Sequence, residues 1–193
     1  MDNRESILNC ALQLFYQKGY DAVGVQEIVE KAGVTKPTLY YYFGSKRGLL
    51  EKLLEAHFGK IEEALVRASK YDGNIPDILY RLARAFFDGA TAEPQFYLMM
   101  LSLFYSARES EGFQAVCPLV KRYYRIYVDV FERAASELGN MNGRQEQFAI
   151  GFSGLLDHHL IRVAKNSDDM SRLQISDEET GSIVKQFMYG IYS

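Results

Sequence analysis

The chain has 193 residues, of which 48% are apolar, and its formal net charge is −3. This length and composition are typical of a globular protein with a substantial core, in one large domain or two small ones. The charge excludes a uniformly basic nucleic-acid-binding surface, and no apolar run approaches the roughly 18 residues of a membrane span. Residues 1–50 nevertheless carry six Lys and Arg against five Asp and Glu, whereas the rest carry sixteen against twenty.

The remaining composition points to a reduced, cytosolic protein. Cys10 and Cys117 have neither metal-ligand nor short-loop disulfide spacing, so we predict core or half-buried thiols. His158 and His159 would point about 100° apart on a helix, and no third ligand is evident, so no metal or cofactor is predicted. The residues after Met1 lack the pattern of a signal peptide, and we expect a cytoplasmic protein without membrane contact.

Only 4 prolines and no sustained apolar–polar alternation favour an all-α fold. The first helix is predicted to start at Asp2 or Asn3 and to end at Gly19. The second runs from about Val25 to Ala32, with apolar residues at i, i+3, i+4 and i+7.

The segment that follows the second helix is a turn, a short helix and another turn. Gly33 can take the positive φ of a helix end, and Thr35 can cap the next helix. Pro37 is tolerated in its first turn, and Gly44 and Ser45 can end it and cap the following helix. The segment is therefore predicted to be a helix-turn-helix spanning about residues 25–44, with residues 36–43 as the recognition helix.

The recognition helix is predicted to present a polar face. Leu39 and Phe43 share one side, and Tyr41 points almost directly opposite. The residues flanking Tyr41, or standing at the ends of the segment, are Lys36, Pro37, Thr38, Tyr42 and Lys46. Hydroxyls and positive charges directed outward suit phosphates and base edges, although a solvated, tyrosine-rich helix is the alternative.

The rest of the chain reads as further helices. A long helix over about residues 45–69 can connect an N-terminal head to the remainder, and a polar turn follows it. Five more helices are predicted at about 75–90, 94–108, 112–138, 143–165 and 177–192. Pro118 is expected to kink or restart the third of these five. We predict a DNA-binding domain over 1–48, the connecting helix over 45–69 and a C-terminal effector-binding and dimerisation domain over 70–193, with about nine helices in total.

The N-terminal motif resembles a known family. Its residues are Ala11, Phe15, Gly19, Tyr20, Ile28, Ala32, Gly33, Val34, Thr35, Thr38, Leu39, Tyr40, Tyr41, Tyr42, Phe43, Ser45, Lys46, Leu49 and Leu50. This order is similar to the N-terminal domain of tetracycline-repressor (TetR) family regulators, over about residues 4–60. The resemblance implies a homodimer on a palindromic double-stranded DNA operator and a small-molecule pocket in the C-terminal domain.

The resemblance also implies site residues. Those expected to touch DNA are Gln26, Thr35, Lys36, Thr38, Tyr41 and Tyr42, with Tyr40 and Lys46 on phosphates. One departure concerns Gly24, where many members have Thr or Ser. Gly24 is a tolerable helix cap, but a side-chain cap and one phosphate contact are lost there.

Two further sites are predicted in the C-terminal half. Apolar stripes on its last two helices suggest a dimer interface, and they include Phe148, Phe152, Leu155, Leu156, Phe187 and Ile191. The aromatic-rich region before them suggests a pocket for a small-molecule effector, with Phe86, Phe104, Tyr105, Arg108, Tyr124 and Tyr127 as lining. In both cases the alternative is that these side chains belong to the core of one subunit.

The favoured function is a ligand-responsive transcriptional regulator, a repressor that an effector releases from DNA by shifting the connecting helix. The sequence contains no nucleophile elbow, paired-carboxylate signature or phosphate-binding glycine loop, so catalysis is not predicted. A small-molecule-binding helical protein with a vestigial head, or a DNA binder without an effector, are the alternatives.

Overall fold

The computed structural model describes residues 2–139 and 141–190, and all regular secondary structure in them is helical. The nine helices are α1 Asn3–Lys18, α2 Val25–Ala32, α3 Lys36–Phe43, α4 Lys46–Ala68, α5 Ile75–Ala92, α6 Pro94–Phe104, α7 Glu111–Ala134, α8 Gln145–Lys165 and α9 Asp177–Tyr189. A short 3-10 turn, Met170–Arg172, precedes α9. The predicted all-α class with about nine helices is confirmed.

Three helices end earlier than predicted, and one continues where a break was expected. Helix α9 ends at Tyr189, and the end predicted for it, at about residue 192, lies outside the described residues. Helix α6 ends at Phe104 and α7 at Ala134, each about four residues short of the predicted end. Helix α7 passes through Pro118 without restarting. Proline removes one backbone hydrogen bond, and Val116 and Leu119 on either side of it are buried, so packing holds the helix together.

The described residues form two compact units. The first comprises 2–59 and 95–120, and the second comprises 60–94, 121–139 and 141–190. Helices α4 and α7 contribute residues to both units.

The first unit is built around the three N-terminal helices. Helix α1 packs on both α2 and α3, and α2 packs on α3. The centre of this packing consists of fully buried apolar side chains, among them Ile7, Ala11, Ile28 and Leu39. Helix α6 and the first half of α7 belong to the same unit, where the Phe104 and Phe113 rings stack at 5.9 Å.

In the second unit, α5 packs against α8 and α9. Its core is rich in aromatic side chains, including Phe86, Phe87, Phe131 and Phe152, all of which are buried. Arg84 on α5 donates hydrogen bonds to the Ile175 carbonyl at 2.7 Å and to the Thr180 hydroxyl at 2.9 Å. This arginine therefore ties α5 to the segment that leads into α9. No helix in the described part of the chain has the length and apolar character needed to cross a membrane.

Candidate nucleic-acid interface

The turn between α2 and α3 is fixed by backbone conformation and capping. Gly33 takes the left-handed conformation, with φ 67° and ψ 31°, and the Val34 amide donates to the Val29 carbonyl at 3.0 Å. The Thr35 hydroxyl accepts a hydrogen bond from the Thr38 amide at 3.4 Å, and Pro37 lies in the first turn. The local sequence thus sets where α3 begins and in which direction it leaves the turn.

Helix α3 is anchored by one side and exposed on the other. Leu39 is fully buried and Phe43 is nearly so, whereas Tyr41 is 84% exposed and Tyr40 is 46% exposed. The predicted orientation of this helix is therefore confirmed.

The exposed side of α3 carries hydroxyls, one lysine and a proline. Thr35, Lys36 and Pro37 are exposed, and Thr38 and Tyr42 are half-buried. The Thr35 and Thr38 hydroxyls lie 2.9 Å apart, and the Tyr41 and Tyr42 rings meet edge-on at 5.2 Å. These contacts order the side chains while leaving the Tyr41 face open to solvent.

Two of the residues expected to touch DNA are engaged within the protein. The exposed Gln26 amide donates to the Glu30 carboxylate at 2.5 Å. The Lys46 ammonium lies 4.1 Å from the centre of the Tyr20 ring, a cation–π contact. Burial lowers the pKa of Lys46, and the nearby Asp21 and Glu111 carboxylates partly offset this. Lys46 is thus held at a defined place beside the end of α3.

Gly24 is the N-cap of α2, and it supplies no side-chain hydrogen bond there. Its φ of −90° is ordinary for any residue, and a β-carbon added to it would meet no atom within 4 Å. The missing cap at this position is therefore a matter of side-chain chemistry, since the backbone would accept Ser or Thr.

Sequence reasoning missed the part that Gly48 plays at the junction of α3 and α4. A β-carbon at Gly48 would lie 2.1 Å from the Phe43 carbonyl oxygen, far inside contact distance. That carbonyl accepts the Ser45 amide at 2.8 Å, and the Ser45 hydroxyl in turn accepts the Gly48 amide at 2.9 Å. The signal available in the sequence was a glycine in the first turn of a helix, where its low helix propensity is a cost.

The helix-turn-helix identifies the family of the chain. Residues 7–53 match the family model described as bacterial regulatory proteins, tetR family. Residues 7–53 therefore form a DNA-binding domain of the TetR family. The chain is a transcriptional regulator that carries this helix-turn-helix.

The chain is similar to two other regulators over stretches of different length. It is 25% identical over 181 residues to the uncharacterized HTH-type transcriptional regulator YxaF of Bacillus subtilis, covering 92% of this chain and 93% of that protein. It is 44% identical over 55 residues to the HTH-type transcriptional repressor BdcR of Escherichia coli, covering 28% of each.

A solved relative shares the fold. The transcriptional regulator FadR from Bacillus subtilis, in complex with stearoyl-CoA, superposes with a TM-score of 0.76 at 19% identity. The match covers 97% of this chain and 99% of that chain. The fold of that regulator therefore extends over nearly the whole of this chain.

The six residues predicted to line an effector pocket are divided between the two units. Phe104, Tyr105 and Arg108 belong to the first unit, where Tyr105 and Arg108 are exposed. Phe86, Tyr124 and Tyr127 belong to the second, where the half-buried Tyr124 donates from its hydroxyl to the Glu146 carbonyl at 2.9 Å.

Phe86 and Tyr127 share a buried aromatic cluster with a residue that was not predicted, Tyr123. The Tyr123 ring lies 6.2 Å from that of Phe86 and 5.0 Å from that of Tyr127. Its hydroxyl donates to the Asp157 carboxylate at 3.3 Å. The Tyr127 side chain is fully buried, and its hydroxyl makes no hydrogen bond of good geometry with the described residues. Burial raises the pKa of Tyr127, an effect that the Tyr123 hydroxyl partly offsets.

The residues predicted for the dimer interface are mostly covered within their own unit. Phe152 and Leu156 are fully buried, and the Phe152 and Phe187 rings lie 4.9 Å apart. Phe148, Leu155 and Phe187 are half-buried, and Ile191 lies outside the described residues. Phe152 and Leu156 therefore have no surface left for a partner in this conformation.

The exposed face of α8 carries a different apolar set. Ile150 is 60% exposed, and Gly151 and Gly154 are exposed beside it. A β-carbon added to Gly154 would meet no atom of its own subunit within 4 Å. Small residues next to an exposed isoleucine leave room for a second helix to approach closely. Among the described residues, no group of three or more His, Cys, Asp or Glu is arranged to hold a metal ion.

Proposed function

We propose that the protein is a homodimeric repressor that binds a palindromic operator through α3 and is released from it by a small-molecule effector. The observation that carries this proposal is the orientation of α3, in which Tyr41 projects into solvent opposite the buried Leu39. A tyrosine hydroxyl can bond to a phosphate while its ring packs against a sugar or a thymine methyl group. Thr35, Lys36, Thr38 and Tyr42 supply further donors on the same surface.

A single α3 is too small to select one site in a genome. It spans eight residues, and each good base contact contributes only about 1–3 kcal/mol of discrimination. A twofold dimer doubles these contacts and fixes the spacing between half-sites, which is why a palindromic operator is proposed.

The exposed face of α8 supports the dimer. Ile150, Gly151 and Gly154 form an apolar, close-approach surface on a 21-residue helix. The same patch on both subunits can pack against itself, as a twofold interface requires. Leu155, half-buried beside this patch, would add apolar contact area.

The cluster around Tyr127 supports an effector site in the second unit. A buried hydroxyl without a hydrogen bond is costly, and a bound ligand that supplied the missing bond would recover that cost. The Asp157 carboxylate and the Tyr123 hydroxyl lie at one side of this cluster, and Phe86 and Phe152 provide aromatic walls. An effector with a polar group on an apolar body suits this composition.

The DNA-binding part of the proposal is tested with a double variant. Tyr41→Ala combined with Lys36→Ala should weaken binding to a duplex selected by the wild-type protein by about 100-fold or more, since both residues are lost from each half-site. The fold should survive, because both side chains are exposed. The control pair Val66→Ala and Lys70→Ala replaces two exposed side chains outside α3 and should leave affinity unchanged. Equal affinity of the first pair and the control would overturn the assignment of α3.

The release step can be tested with stearoyl-CoA as a first probe, because the FadR of Bacillus subtilis that shares this fold was solved with that compound. Displacement of the selected duplex by micromolar stearoyl-CoA would support an acyl-CoA effector. Unchanged DNA binding would exclude this compound as the effector.

A further inference from the structure

Tyr20 and Glu111 form a hydrogen bond between two parts of the chain that are 91 residues apart. The Tyr20 hydroxyl donates to a Glu111 carboxylate oxygen at 2.8 Å, and the contact is partly buried. Tyr20 lies in the link between α1 and α2, and Glu111 is the first residue of α7. Both belong to the first compact unit. The contact therefore joins the three-helix head to the start of α7.

The Tyr20 ring is also a meeting point for α1 and α4. Phe15 of α1 contacts it edge-on at 5.1 Å, and the Lys46 ammonium of α4 lies 4.1 Å from its centre. Tyr20 is almost completely buried. A ring packed by α1 and held at its hydroxyl by α7 gives Lys46 a fixed surface on which to rest.

The first turn of α7 approaches this ring closely because residue 112 is a glycine. A β-carbon at Gly112 would lie 3.8 Å from the Tyr20 ring and 2.7 Å from a methyl group of Leu103. A larger residue would push the start of α7 away from Tyr20 or displace Leu103. Close packing and a hydrogen bond thus reinforce each other at the same place.

The electrostatic surroundings of Tyr20 and Lys46 fit the contacts described above. Burial and the Glu111 carboxylate together raise the pKa of Tyr20, so its hydroxyl remains a donor. Asp21 and Glu111 both favour the charged form of Lys46, which burial opposes. The Lys46 ammonium therefore rests on the Tyr20 ring, in a region where two carboxylates favour its charged form.

We propose that the Tyr20–Glu111 hydrogen bond positions Lys46 for its DNA phosphate, and that operator affinity therefore depends on where the first turn of α7 lies. Tyr20 and Glu111 are positioning residues in this account, because they act on DNA through Lys46. The inference rests on the proposed DNA-binding function and adds a route by which it is regulated. Helix α7 also carries Tyr123 and Tyr127 further along.

The test uses two conservative variants and two matched controls. Tyr20→Phe keeps the ring under Lys46 but removes the donor, and Glu111→Gln keeps a hydrogen-bond acceptor but removes the charge. Tyr16→Phe on α1 and Glu109→Gln, an exposed residue close to Glu111, make the same chemical changes elsewhere. Affinity for the duplex selected by the wild-type protein is measured at several salt concentrations.

Both variants should bind about three- to tenfold more weakly, since hydrogen bonds to charged groups contribute more than neutral ones. The slope of log affinity against log salt should fall by about one per subunit, as for a lost phosphate contact. The variant that combines Tyr20→Phe with Glu111→Gln should lose no more affinity than the single variant that binds more weakly. Both changes remove the same hydrogen bond. The controls should match the wild type in affinity and slope.

The direction in which Glu111→Gln changes DNA affinity distinguishes loss of Lys46 positioning from simple removal of a negative charge. Removal of a carboxylate near DNA would by itself strengthen binding. Tighter binding by Glu111→Gln, or an unchanged salt slope in Tyr20→Phe, would overturn the inference while leaving DNA binding itself intact. If the wild type selects no duplex, the proposed function fails and this inference falls with it.

Hydrogen exchange provides a second measurement that does not depend on affinity. Addition of the selected duplex should slow amide exchange in residues 111–114 of the wild type, because coupling between sites is reciprocal. Tyr20→Phe should abolish this change while melting at nearly the wild-type temperature. Unaltered exchange in the wild type would overturn the proposed coupling.

Discussion

The backbone of Gly48 lies so close to the Phe43 carbonyl oxygen that a β-carbon there would be 2.1 Å from it. The end of α3 and the first turn of α4 are thereby joined without any side chain between them. Because α3 carries the exposed tyrosines, this junction determines how they are presented.

Gly48→Ala should therefore lower stability and operator affinity together. The clash involves backbone atoms that cannot rotate away, so we expect a loss of about 2 kcal/mol or more in urea unfolding. Gly59→Ala is the control, since Gly59 is also in α4 and a β-carbon there would meet nothing within 4 Å. The free energy of unfolding of that control should rise by about 0.5–1 kcal/mol, because alanine has a higher helix propensity than glycine. Equal behaviour of the two variants would contradict the account of the junction.

Tyr127→Phe should stabilise the protein, whereas Tyr123→Phe should destabilise it. The first removes a buried hydroxyl that makes no hydrogen bond of good geometry with the described residues, and the second removes the donor to Asp157. Each change is expected to amount to about 1 kcal/mol in the free energy of unfolding. Destabilisation by Tyr127→Phe would mean that its hydroxyl is already satisfied, and the argument for an effector contact at Tyr127 would be lost.

Ile150→Glu should convert a dimer into a monomer without unfolding it. The side chain is 60% exposed in the subunit, so a carboxylate there is harmless until a second α8 covers it. Val66→Glu, at a half-exposed position of α4, is the control and should remain dimeric. Sedimentation equilibrium gives both masses. A dimeric Ile150→Glu protein would place the interface elsewhere.

The contact between Asp72 and Arg81 should contribute to stability at neutral pH but not in acid. The Arg81 guanidinium donates to Asp72 at 2.9 Å and lowers the pKa of that carboxyl below its ordinary 3.8. A carboxyl with a lowered folded-state pKa stabilises the fold above its unfolded pKa, and this is lost as the pH falls through the folded value. Asp72→Asn should thus be less stable than wild type at pH 7 and equally stable near pH 2. In an Arg81→Gln background, Asp72→Asn should cause a smaller loss at pH 7. An equal loss would contradict the role of the contact.

The helix-turn-helix could be predicted almost to the residue because its boundaries are encoded locally. Gly33, Thr35 and Gly44 each act within three or four residues of the chain, through a positive φ or a cap. The orientation of α3 could then be predicted from its apolar residues, because Leu39 and Phe43 are four residues apart and therefore lie on one side of the helix. Such short-range rules need no knowledge of the rest of the fold.

Contacts between distant residues could not be predicted in this way. The Tyr20–Glu111 hydrogen bond depends on where α7 begins, and the restriction at Gly48 depends on the direction of a carbonyl group. The predicted effector pocket combined residues of both compact units because aromatic content alone does not tell which unit a helix joins. Phe152 and Leu156 were likewise predicted from a stripe that faces the subunit's own core.

Recognition of a specific operator by the exposed face of α3 can be measured as the ratio of the affinities for two duplexes. A duplex carrying the site selected by the wild-type protein is compared with a scrambled duplex of the same composition at physiological salt. We expect a ratio of about 1,000 or more, together with two subunits bound per selected site. A ratio near one would contradict it, and would leave only a DNA binder without site preference.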